Sequence, residues 1–364
     1  MWVRVPLPAP YLKKKKSILY LMSQPLEQRR EIIKTAVFRG NHFEIGRQQG
    51  MAFLKNPTPF YGDTFDKRLY LKQLDIYKEY YPELLEELKG MADGRDFNPE
   101  QLIFRFICGE IFWYTDKFKI DRGCTIFGLK NGNGAFVGRN YDWEPAGAKS
   151  ISNHTVFNTE KNSFTAFTVE GIGSNSVEDA INDKGLYIGI TFAYNHRWSF
   201  GLSSLHIGKL IAETCATVDE ALAVFSKVPL CCPKNYFIAD KNGDMAVVEH
   251  TSERFKVLHP KNDILIQTNH YAHPELADED MILHDMPFTD SYLRYYEAFQ
   301  RLNIQKEKFR YPDIMKMLTD PKSYIFKNKP MVQTIWSLAL DMKNSYYRFY
   351  WNLVNKRRTR LLEF

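Results

Sequence analysis

A cysteine preceded by a glycine lies in the segment from Asp121 to Thr125, and two charged residues, Arg139 and Asp142, follow it closely. If the peptide bond before Cys124 were cut, that one residue would carry a thiol and a free α-amine. An α-amine has a pKa near ~8, far below that of a lysine, so it can accept a proton near neutral pH. The sequence therefore offers a nucleophile and its base on a single residue, which is a known form of activated nucleophile.

The residues after the cysteine predict a β-hairpin. Two strand-like segments, 126–129 and 135–139, flank the sequence Asn-Gly-Asn-Gly at positions 131–134, which is a strong turn signal. A turn centred on Gly132 and Asn133 fixes which residues of the two strands face each other. The hairpin therefore determines where the charged residues lie relative to the cysteine.

In that register, Ile126 faces Arg139 and Cys124 faces Tyr141. Because side chains alternate along a strand, Cys124 and Arg139 share one face of the hairpin, a diagonal apart. Asp142 comes just past Tyr141, at the expected strand end, where the chain is free to turn inward. The spacing therefore predicts a cluster of a thiol, a guanidinium and a carboxylate, and a β-bulge would shift it by one residue.

Each member of this cluster has a chemical task. A cation such as Arg139 lowers the pKa of a nearby thiol and so favours the thiolate. Asp142 would hold the α-ammonium or the thiol proton, and Gly123 gives the scissile bond conformational freedom. The same residues also suit an ordinary surface hairpin, because Gly-Cys and Arg-Asn-x-Asp are common patterns.

Length and composition indicate a globular protein of ordinary type. The chain has 364 residues, of which 44% are hydrophobic and 25% charged. No apolar stretch approaches the ~20 residues of a membrane span. The net charge of +6 comes partly from basic runs at 13–16 and 356–360, which read as solvated ends. Neither run is interleaved with stacking aromatic residues, so we expect no nucleic-acid partner and no membrane partner.

The cysteines predict neither disulfides nor a structural metal. There are five, an odd number at low density, and none forms a CxxC pair. The two adjacent residues Cys231 and Cys232 are a poor start for a zinc site. A reducing cytoplasm fits this usage, and we expect neither a metal nor another cofactor.

The character of the chain changes at the cysteine, from helices before it to hairpins after it. We predict one structural domain of the α+β class, with antiparallel sheets stacked face to face and helices outside. Its segments are an N-terminal extension, partly disordered, over 1–35, a helical pro-segment over 36–123, a catalytic core over 124–345 and a basic C-terminal tail over 346–364.

Several short motifs together resemble a known family. They are Gly123-Cys124-Thr125, Gly138-Arg139-Asn140-Tyr141-Asp142-Trp143, Asp183-Lys184-Gly185-Leu186, Asn235-Tyr236-Phe237-Ile238-Ala239-Asp240 and Thr268-Asn269-His270, with Phe43-Glu44-Ile45-Gly46 and Leu88-Lys89-Gly90-Met91-Ala92 before them. In this order they resemble the N-terminal-nucleophile hydrolases, and most closely the family of acyl-coenzyme A:isopenicillin N (6-aminopenicillanic acid) acyltransferase. That family is related to the choloylglycine hydrolases and the penicillin V acylases.

The resemblance implies a four-layer αββα fold and a precursor that cuts itself between Gly123 and Cys124. It further implies that Cys124 is the nucleophile, that Arg139 and Asp142 are its partners, and that Asn235 stabilises the oxyanion. A side-chain amide donor there could contribute ~3 kcal/mol of transition-state stabilisation. The implied substrate is a small molecule with an acyl-amide or thioester bond, with acyl-CoA as a candidate acyl donor, and oligomers are compatible with it.

Two departures separate the chain from the bile-salt enzymes. Where those enzymes carry an asparagine near the nucleophile, this chain offers Thr191, with Asn195 as a substitute. We place these two with Tyr141 and Asn140 as candidate oxyanion or substrate-binding residues. The chain also has a long segment before Cys124, which bile-salt hydrolases lack. Both differences favour the acyltransferase-like branch over a true bile-salt hydrolase. A penicillin V acylase or a bile-salt-type hydrolase stays as the alternative.

Other readings of the same residues remain open. A papain-like thiol hydrolase would pair Cys124 with a histidine such as His250, His270 or His273, although the papain-type residues around the cysteine are absent. A catalytically silent small-molecule binding protein on the same fold would keep its shape without a cut. A metal at His270 and His273 is disfavoured, because the pair does not lie on a helix.

Overall fold

The computed structural model describes most of the chain, namely residues 35–54, 65–116, 123–145, 154–168, 175–195, 197–281, 289–351 and 358–363. The predicted N-terminal extension therefore lies, apart from its last residue, outside the described residues.

The described residues form fourteen β-strands. In chain order they are β1 (Thr35–Arg39), β2 (Gly123–Asn131), β3 (Gly134–Trp143), β4 (His154–Asn158), β5 (Phe164–Phe167), β6 (Asp179–Asn182), β7 (Tyr187–Phe192), β8 (Lys234–Ala239), β9 (Met245–His250), β10 (Phe255–Leu258), β11 (Ile264–Gln267), β12 (Gln333–Asp341), β13 (Tyr346–Trp351) and β14 (Arg358–Glu363).

Eight α-helices have both ends within the described residues. They are α1 (His42–Leu54), α2 (Lys67–Tyr80), α3 (Pro82–Gly94), α4 (Pro99–Asp116), α5 (Ser204–Thr214), α6 (Val218–Phe225), α7 (Ser291–Gln305) and α8 (Tyr311–Leu318). Two 3₁₀ helices, Pro274–Glu279 and Lys306–Lys308, complete them. Within the described residues, none of the helices combines the length and the apolar character that a membrane-spanning helix needs.

The strands make two sheets. The first has the order β1-β4-β5-β6-β7-β8-β9-β10 and the second the order β11-β2-β3-β12-β13-β14. All pairs are antiparallel except β1 and β4, which are parallel. This differs from the prediction of wholly antiparallel sheets, because β1 reaches the sheet from the pro-segment and does not share a hairpin with its neighbour.

Helices cover the outer face of each sheet. Helices α2 to α6 contribute buried residues to one apolar core with the first sheet, for example Leu102, Ile211 and Val248. Helices α7 and α8 pack against the second sheet around Leu302, Ile314 and Phe127. The fold therefore has four layers, which are a layer of helices, the two sheets and a second layer of helices. The predicted αββα sandwich is confirmed.

The predicted pro-segment is mainly helical, and its helices share one layer on the first sheet with α5 and α6. Pro82 is the first residue of α3, and Asn98 accepts a hydrogen bond from the backbone N–H of Gln101 at the start of α4, at 3.0 Å. Helices α1 and α3 approach so closely that a β-carbon at Gly46 would lie 1.8 Å from the carbonyl oxygen of Glu87. Only glycine permits that approach.

The sheet continues beyond the predicted end of the core at residue 345. Strand β13 pairs with β12 and with β14, which forms the edge of the second sheet. The basic residues near the C-terminus read as a solvated tail, but Arg358 and Arg360 belong to β14. Charged side chains are typical of edge strands because they discourage pairing with further chains, and this explains why the pattern resembled a tail.

Candidate active site

The hairpin of β2 and β3 has the register that the turn predicts. Cys124 is opposite Tyr141, and Ile126 is opposite Arg139. The hairpin lies inside the second sheet, between β11 and β12. One detail differs, because β3 runs on to Trp143 and Asp142 pairs with Gly123 within the ladder. Asp142 is therefore held by strand pairing, without the inward turn that the sequence suggested.

Arg139 points from the second sheet into the space between the sheets. Its Nε donates to the carboxylate of Asp179 on β6, and its Nη2 donates to the carbonyl of Ile190 on β7 at 3.1 Å. The guanidinium carbon also lies 4.9 Å from the ring centre of Tyr141. The carboxylate of Asp179 further accepts from the indole of Trp336 at 3.0 Å. These contacts fix the guanidinium in a fully buried position.

The thiol of Cys124 is in its neutral form in this environment. Burial raises the pKa of the Cys124 thiol, and the positive charges of Arg139 and Arg294 oppose that rise only in part. The negative charge of Asp142 raises the pKa further. Arg139 itself stays charged, because the Asp179 carboxylate outweighs the effect of burial and raises the pKa of the guanidinium. A base must therefore remove the thiol proton before the sulfur can attack.

Asp142 points to the other side of the second sheet, towards α7. Its Oδ1 accepts a hydrogen bond from the hydroxyl of Thr334 at 2.7 Å, whereas its Oδ2 has no hydrogen-bond partner. That oxygen lies beside Gly123, where a β-carbon would come within 2.8 Å of it. Burial raises the pKa of the Asp142 carboxyl, and the charges of Lys327 and Arg294 counter this in part. An unpaired carboxylate oxygen thus stands next to the bond that would be cut.

Two residues that were not predicted as site residues contact the nucleophile directly. The backbone N–H of Cys124 donates to Oδ1 of Asn269 at 2.8 Å, and the same oxygen accepts from Nη2 of Arg294 at 2.8 Å. Nη1 of Arg294 donates to the carbonyl oxygen of Cys124. Nδ2 of Asn269 donates to the carbonyl of Phe192 at 2.9 Å, which fixes the orientation of the amide. Both the nitrogen and the carbonyl of Cys124 are therefore held by side chains.

Helix α7 explains the position of Arg294. The buried residues of this helix are Ser291, Arg294, Ala298 and Leu302, which is helical spacing. An arginine on an otherwise small and apolar stripe is the sequence feature that could have identified this residue. Its charge is balanced by Asp290, which accepts from Nε at 2.8 Å and also pairs with Lys327.

The predicted oxyanion residue Asn235 lies on β8 in the first sheet. Its Nδ2 donates to the carbonyl of His270 at 3.4 Å, and its Oδ1 has no hydrogen-bond partner. Thr191, directly opposite on β7, donates its hydroxyl proton to the carbonyl of Thr268 at 2.5 Å. Both side chains therefore contact the loop that carries Asn269, and neither is hydrogen-bonded to Cys124.

The other three residues predicted to bind the oxyanion or the substrate lie in three different places. Tyr141 shares the face of Cys124 and stacks on Trp336, with ring centres 3.8 Å apart. Asn140 points to the opposite face, where its Nδ2 donates to the carbonyl of Leu318 at 2.8 Å. Asn195 accepts from the backbone N–H of Arg197 at 2.9 Å, as a turn residue does. Of the three, Tyr141 alone is brought next to the nucleophile.

The structure gives no support to a cysteine–histidine pair. Within the described part of the chain, no histidine is hydrogen-bonded to Cys124. His270 lies between the hydroxyls of Thr268 and Ser291, at 3.0 and 2.9 Å, and burial lowers the pKa of its imidazole to about 3. Burial likewise lowers the pKa of His250 to about 4.

Two groups of side chains elsewhere have the composition of metal ligands. Glu110, Cys231 and Cys232 form one, and His42, Glu87 and Glu213 form the other, each with ligand atoms within 4.8 Å of one another. A lysine ammonium already contacts each group. Lys234 lies 3.1 Å from Glu110, and Lys209 lies 2.8 Å from Glu87. A fixed positive charge therefore occupies the place that a cation would take.

Comparison with solved structures identifies the class of fold. A variant of the conjugated bile acid hydrolase from Clostridium perfringens superposes with a TM-score of 0.51 at 12% identity, over 66% of this chain and 92% of that chain. Penicillin V acylase from Agrobacterium tumefaciens matches at 17% identity, over 66% and 86% of the two chains, with a TM-score of 0.44. An N-acylethanolamine-hydrolyzing acid amidase ortholog from Caenorhabditis elegans matches at 17% identity, over 60% and 93%, with a TM-score of 0.45. The first of these matches, whose TM-score exceeds 0.5, shows that the fold is that of the N-terminal-nucleophile hydrolases.

A family model then narrows the assignment. The model described as acyl-coenzyme A:6-aminopenicillanic acid acyl-transferase matches residues 129–355, which is more than half of the chain. The chain therefore belongs to this family, as its motifs indicated, and it is an enzyme of the amide hydrolase or acyltransferase type that acts on acylated small molecules. The match begins after Cys124 and includes Arg139, Asp142 and Arg294. A search of curated proteins gives no match.

Proposed function

We propose that the protein is a self-processing cysteine N-terminal-nucleophile enzyme, which cuts its own chain before Cys124 and then uses that residue to cleave linear amide or thioester bonds. The observation that carries the proposal is the way in which Cys124 is held. Its nitrogen is bound by Asn269 and its carbonyl by Arg294, and the positive charge of Arg139 acts on its thiol. A cysteine of the core needs none of these contacts.

In the precursor, the Cys124 sulfur attacks the carbonyl carbon of Gly123, and the acyl group passes from nitrogen to sulfur. Water then hydrolyses the thioester, which leaves a carboxylate on Gly123 and a free α-amine on Cys124. The unpaired Oδ2 of Asp142 is the group beside Gly123 that can accept a proton, and its pKa is raised by burial. Asp142 therefore acts as the base of the cutting step.

In the mature enzyme, the nitrogen released by the cut keeps its place on Asn269. This α-amine takes the thiol proton, and the thiolate attacks the substrate carbonyl. The C–N or C–S bond of the substrate then breaks, the leaving amine or thiol takes the proton back from the α-ammonium, and an acyl-cysteine remains. Arg139 stabilises the thiolate by its positive charge. The oxyanion needs preorganised donors, and the proposal assigns Asn235 to this role together with a backbone N–H.

Water or an amine can take the acyl group from Cys124. Attack by water gives hydrolysis, and attack by an amine gives acyl transfer. The family assignment favours acyl-CoA as a donor to test beside acyl-amides. All five cysteines are free, so we also propose that the protein works in a reducing compartment such as the cytoplasm.

The direct test is the mass of the purified protein under denaturing conditions. Wild-type protein should give two fragments of 123 and 241 residues, with Cys124 at the start of the second. Cys124→Ala should give a single uncut chain. Cys108→Ala removes a buried cysteine of helix α4 and is the matched control, which should cut as the wild type does.

A screen of the cut protein then determines the reaction. Penicillin V, N-acyl amino acids, conjugated bile salts, and acyl-CoA with amine acceptors cover the substrate classes of the proposal. An activated ester should leave its acyl group on Cys124, detectable as a mass increase on the second fragment. Full activity in a chain without a cut before Cys124 would show that the α-amine is not the base. A catalytically silent protein would show neither the cut nor the acyl-cysteine.

A further inference from the structure

Three neighbouring strands of the first sheet hold the loop that carries Asn269. Thr191, Asn235 and Glu249 lie side by side on β7, β8 and β9. Thr191 and Asn235 donate to carbonyls of residues 268 and 270, as described above. Glu249 does the reverse and accepts from backbone N–H groups, with Oε1 2.6 Å from the nitrogen of Ala272 and Oε2 2.9 Å from that of His273.

From this geometry we propose that Glu249 is a positioning residue of the active site, which fixes the 268–273 loop through two backbone hydrogen bonds and thereby places Asn269 against the nitrogen of Cys124. The inference rests on the proposed function, because it concerns the same nucleophile. Glu249 itself touches no reacting atom. It acts on Asn269 through the backbone of the loop, because Ala272 lies three residues after Asn269.

The two hydrogen bonds that Glu249 accepts explain why a carboxylate is needed at this position. An ionised carboxylate accepts at both oxygens, whereas a protonated carboxyl group turns one of its oxygens into a donor. That donor would face the N–H of Ala272 or His273. Protonation of Glu249 therefore breaks one of the two hydrogen bonds and loosens the loop.

The surroundings of Glu249 place its titration near neutral pH. The pKa of Glu249 is raised to about 7. Burial is the largest cause, the negative charge of Asp280 adds to the rise, and the two backbone hydrogen bonds oppose it. The other titratable groups facing it are Tyr271 of the loop and Tyr292 and Tyr295 of α7, whose phenols stay neutral because their pKa values are raised.

The charged residues close to Glu249 have partners of their own. Asp280 accepts from the N–H of Tyr271 at 2.9 Å, so a second carboxylate holds the same loop. Lys256 is opposite Glu249 on β10, but its ammonium is paired with Glu275. Glu249 therefore takes up its proton as pH falls through about 7, and no cation of the described residues is among the causes that shift its pKa.

The pH dependence of self-cleavage tests the proposal. The precursor has no free α-amine at Cys124, so the titration of an α-amine cannot contribute to the pH dependence of the cutting rate. The cutting rate of the wild type should fall as pH drops through about 7, where Glu249 takes up its proton. Glu249→Gln keeps the size of the side chain but only one acceptor, and at pH 8 it should cut about 10-fold more slowly. It should also lose the decline in rate that Glu249 causes near pH 7, and any decline that remains belongs to Asp142, the base of the cutting step. Glu253→Gln alters an exposed glutamate of the same region and should match the wild type.

A second variant keeps the test decisive if Glu249→Gln does not fold. Asp280→Asn preserves an acceptor for Tyr271 and removes a negative charge, so it should lower the pKa of Glu249 and shift this decline in rate to lower pH. A merely structural contact would leave the midpoint in place. An unmoved midpoint in Asp280→Asn, or a wild-type profile in Glu249→Gln, overturns the proposal.

Hydrogen exchange separates this inference from the proposed function. At pH 8, the amides of Ala272 and His273 should exchange about 10-fold faster in Glu249→Gln than in the wild type, whether or not the chain is cut. If the wild type stays uncut, the proposed function fails. The alkylation rate of Cys124 then replaces the cutting rate as the second measurement. Unchanged exchange, or faster exchange with unchanged cutting and alkylation, overturns the role of Glu249.

Discussion

Gly123 and Asp142 face each other across β2 and β3, so closely that a β-carbon on Gly123 would lie 2.8 Å from the Oδ2 of Asp142. The absence of a side chain at 123 makes room for a carboxylate oxygen beside the bond before Cys124. The φ angle of Gly123 is not in the left-handed region, so conformational freedom is not what this position requires of glycine. Steric access for Asp142 explains the glycine.

Substitution of this glycine should therefore impair the cut. Gly123→Ala forces the Asp142 carboxylate away from the scissile bond, and we expect self-cleavage to slow by about 100-fold. The fraction of uncut chain over time, measured by denaturing electrophoresis, gives the rate. Gly109→Ala is the control, because a β-carbon there meets no atom within 4 Å. Equal rates for the two variants would contradict the steric explanation.

The hairpin was predictable because its information is local. A four-residue turn signal fixes the register of β2 and β3, and the register places Arg139 on the face of Cys124. Strand β1 was missed because its partner β4 lies more than a hundred residues further along the chain.

The rest of the site could not be read from spacing, because it is assembled from distant elements. Asp179, Asn269 and Arg294 come from β6, a loop after β11 and helix α7. The motif Thr268-Asn269-His270 was noticed, but nothing local shows that its asparagine faces Cys124. The role of Asn235 as the oxyanion residue stays a prediction; its amide donates to the carbonyl of His270.

The buried pair of Arg139 and Asp179 should be essential to the stability of the fold. Arg139→Ala leaves the Asp179 carboxylate buried without its cation, which typically costs about 3–5 kcal/mol. Asp179→Asn in the same chain removes the uncompensated charge and should restore part of the loss. Urea unfolding in a Cys124→Ala background, where the chain stays whole, measures both. A loss below 1 kcal/mol would indicate that water reaches the pair.

The roles of the two asparagines can be separated by mutation. Asn269→Ala removes the acceptor for the nitrogen of Cys124 and for Arg294, so we expect the cut to slow by about 100-fold. Asn235→Ala should slow the cut less and reduce the turnover of an acyl-amide substrate, because the proposal gives Asn235 its role in the mature enzyme. The cutting rate and kcat of each variant decide between them. The opposite order of cutting rates would make Asn235 the residue that holds the nucleophile.

The pro-segment and the core share a buried charge network whose pH dependence can be worked out. Lys209 of α5 contacts Glu87 of α3 and Glu213 of α5, and all three side chains are fully buried. Burial alone would raise the pKa of Glu87, but Lys209 and His42 outweigh it and hold the pKa below its usual value of 4.5. Glu87 therefore contributes stability that is complete above about pH 4.5 and is lost as pH falls through its lower, folded-state pKa.

Two results should follow from this network. Lys209→Met leaves two carboxylates buried without a cation and should lower the free energy of unfolding by about 3–5 kcal/mol. In the cut protein, the two fragments should elute together at pH 7 and come apart more readily below pH 4, because protonation of Glu87 removes its attraction to Lys209. Size-exclusion chromatography across this pH range measures the separation.

The matched control for Lys209→Met is Lys161→Met, which removes a more exposed lysine paired with Glu83 of α3. It should lower the free energy of unfolding by at most about 1 kcal/mol. Equal losses in the two variants would mean that the buried lysine adds no more than a surface ion pair.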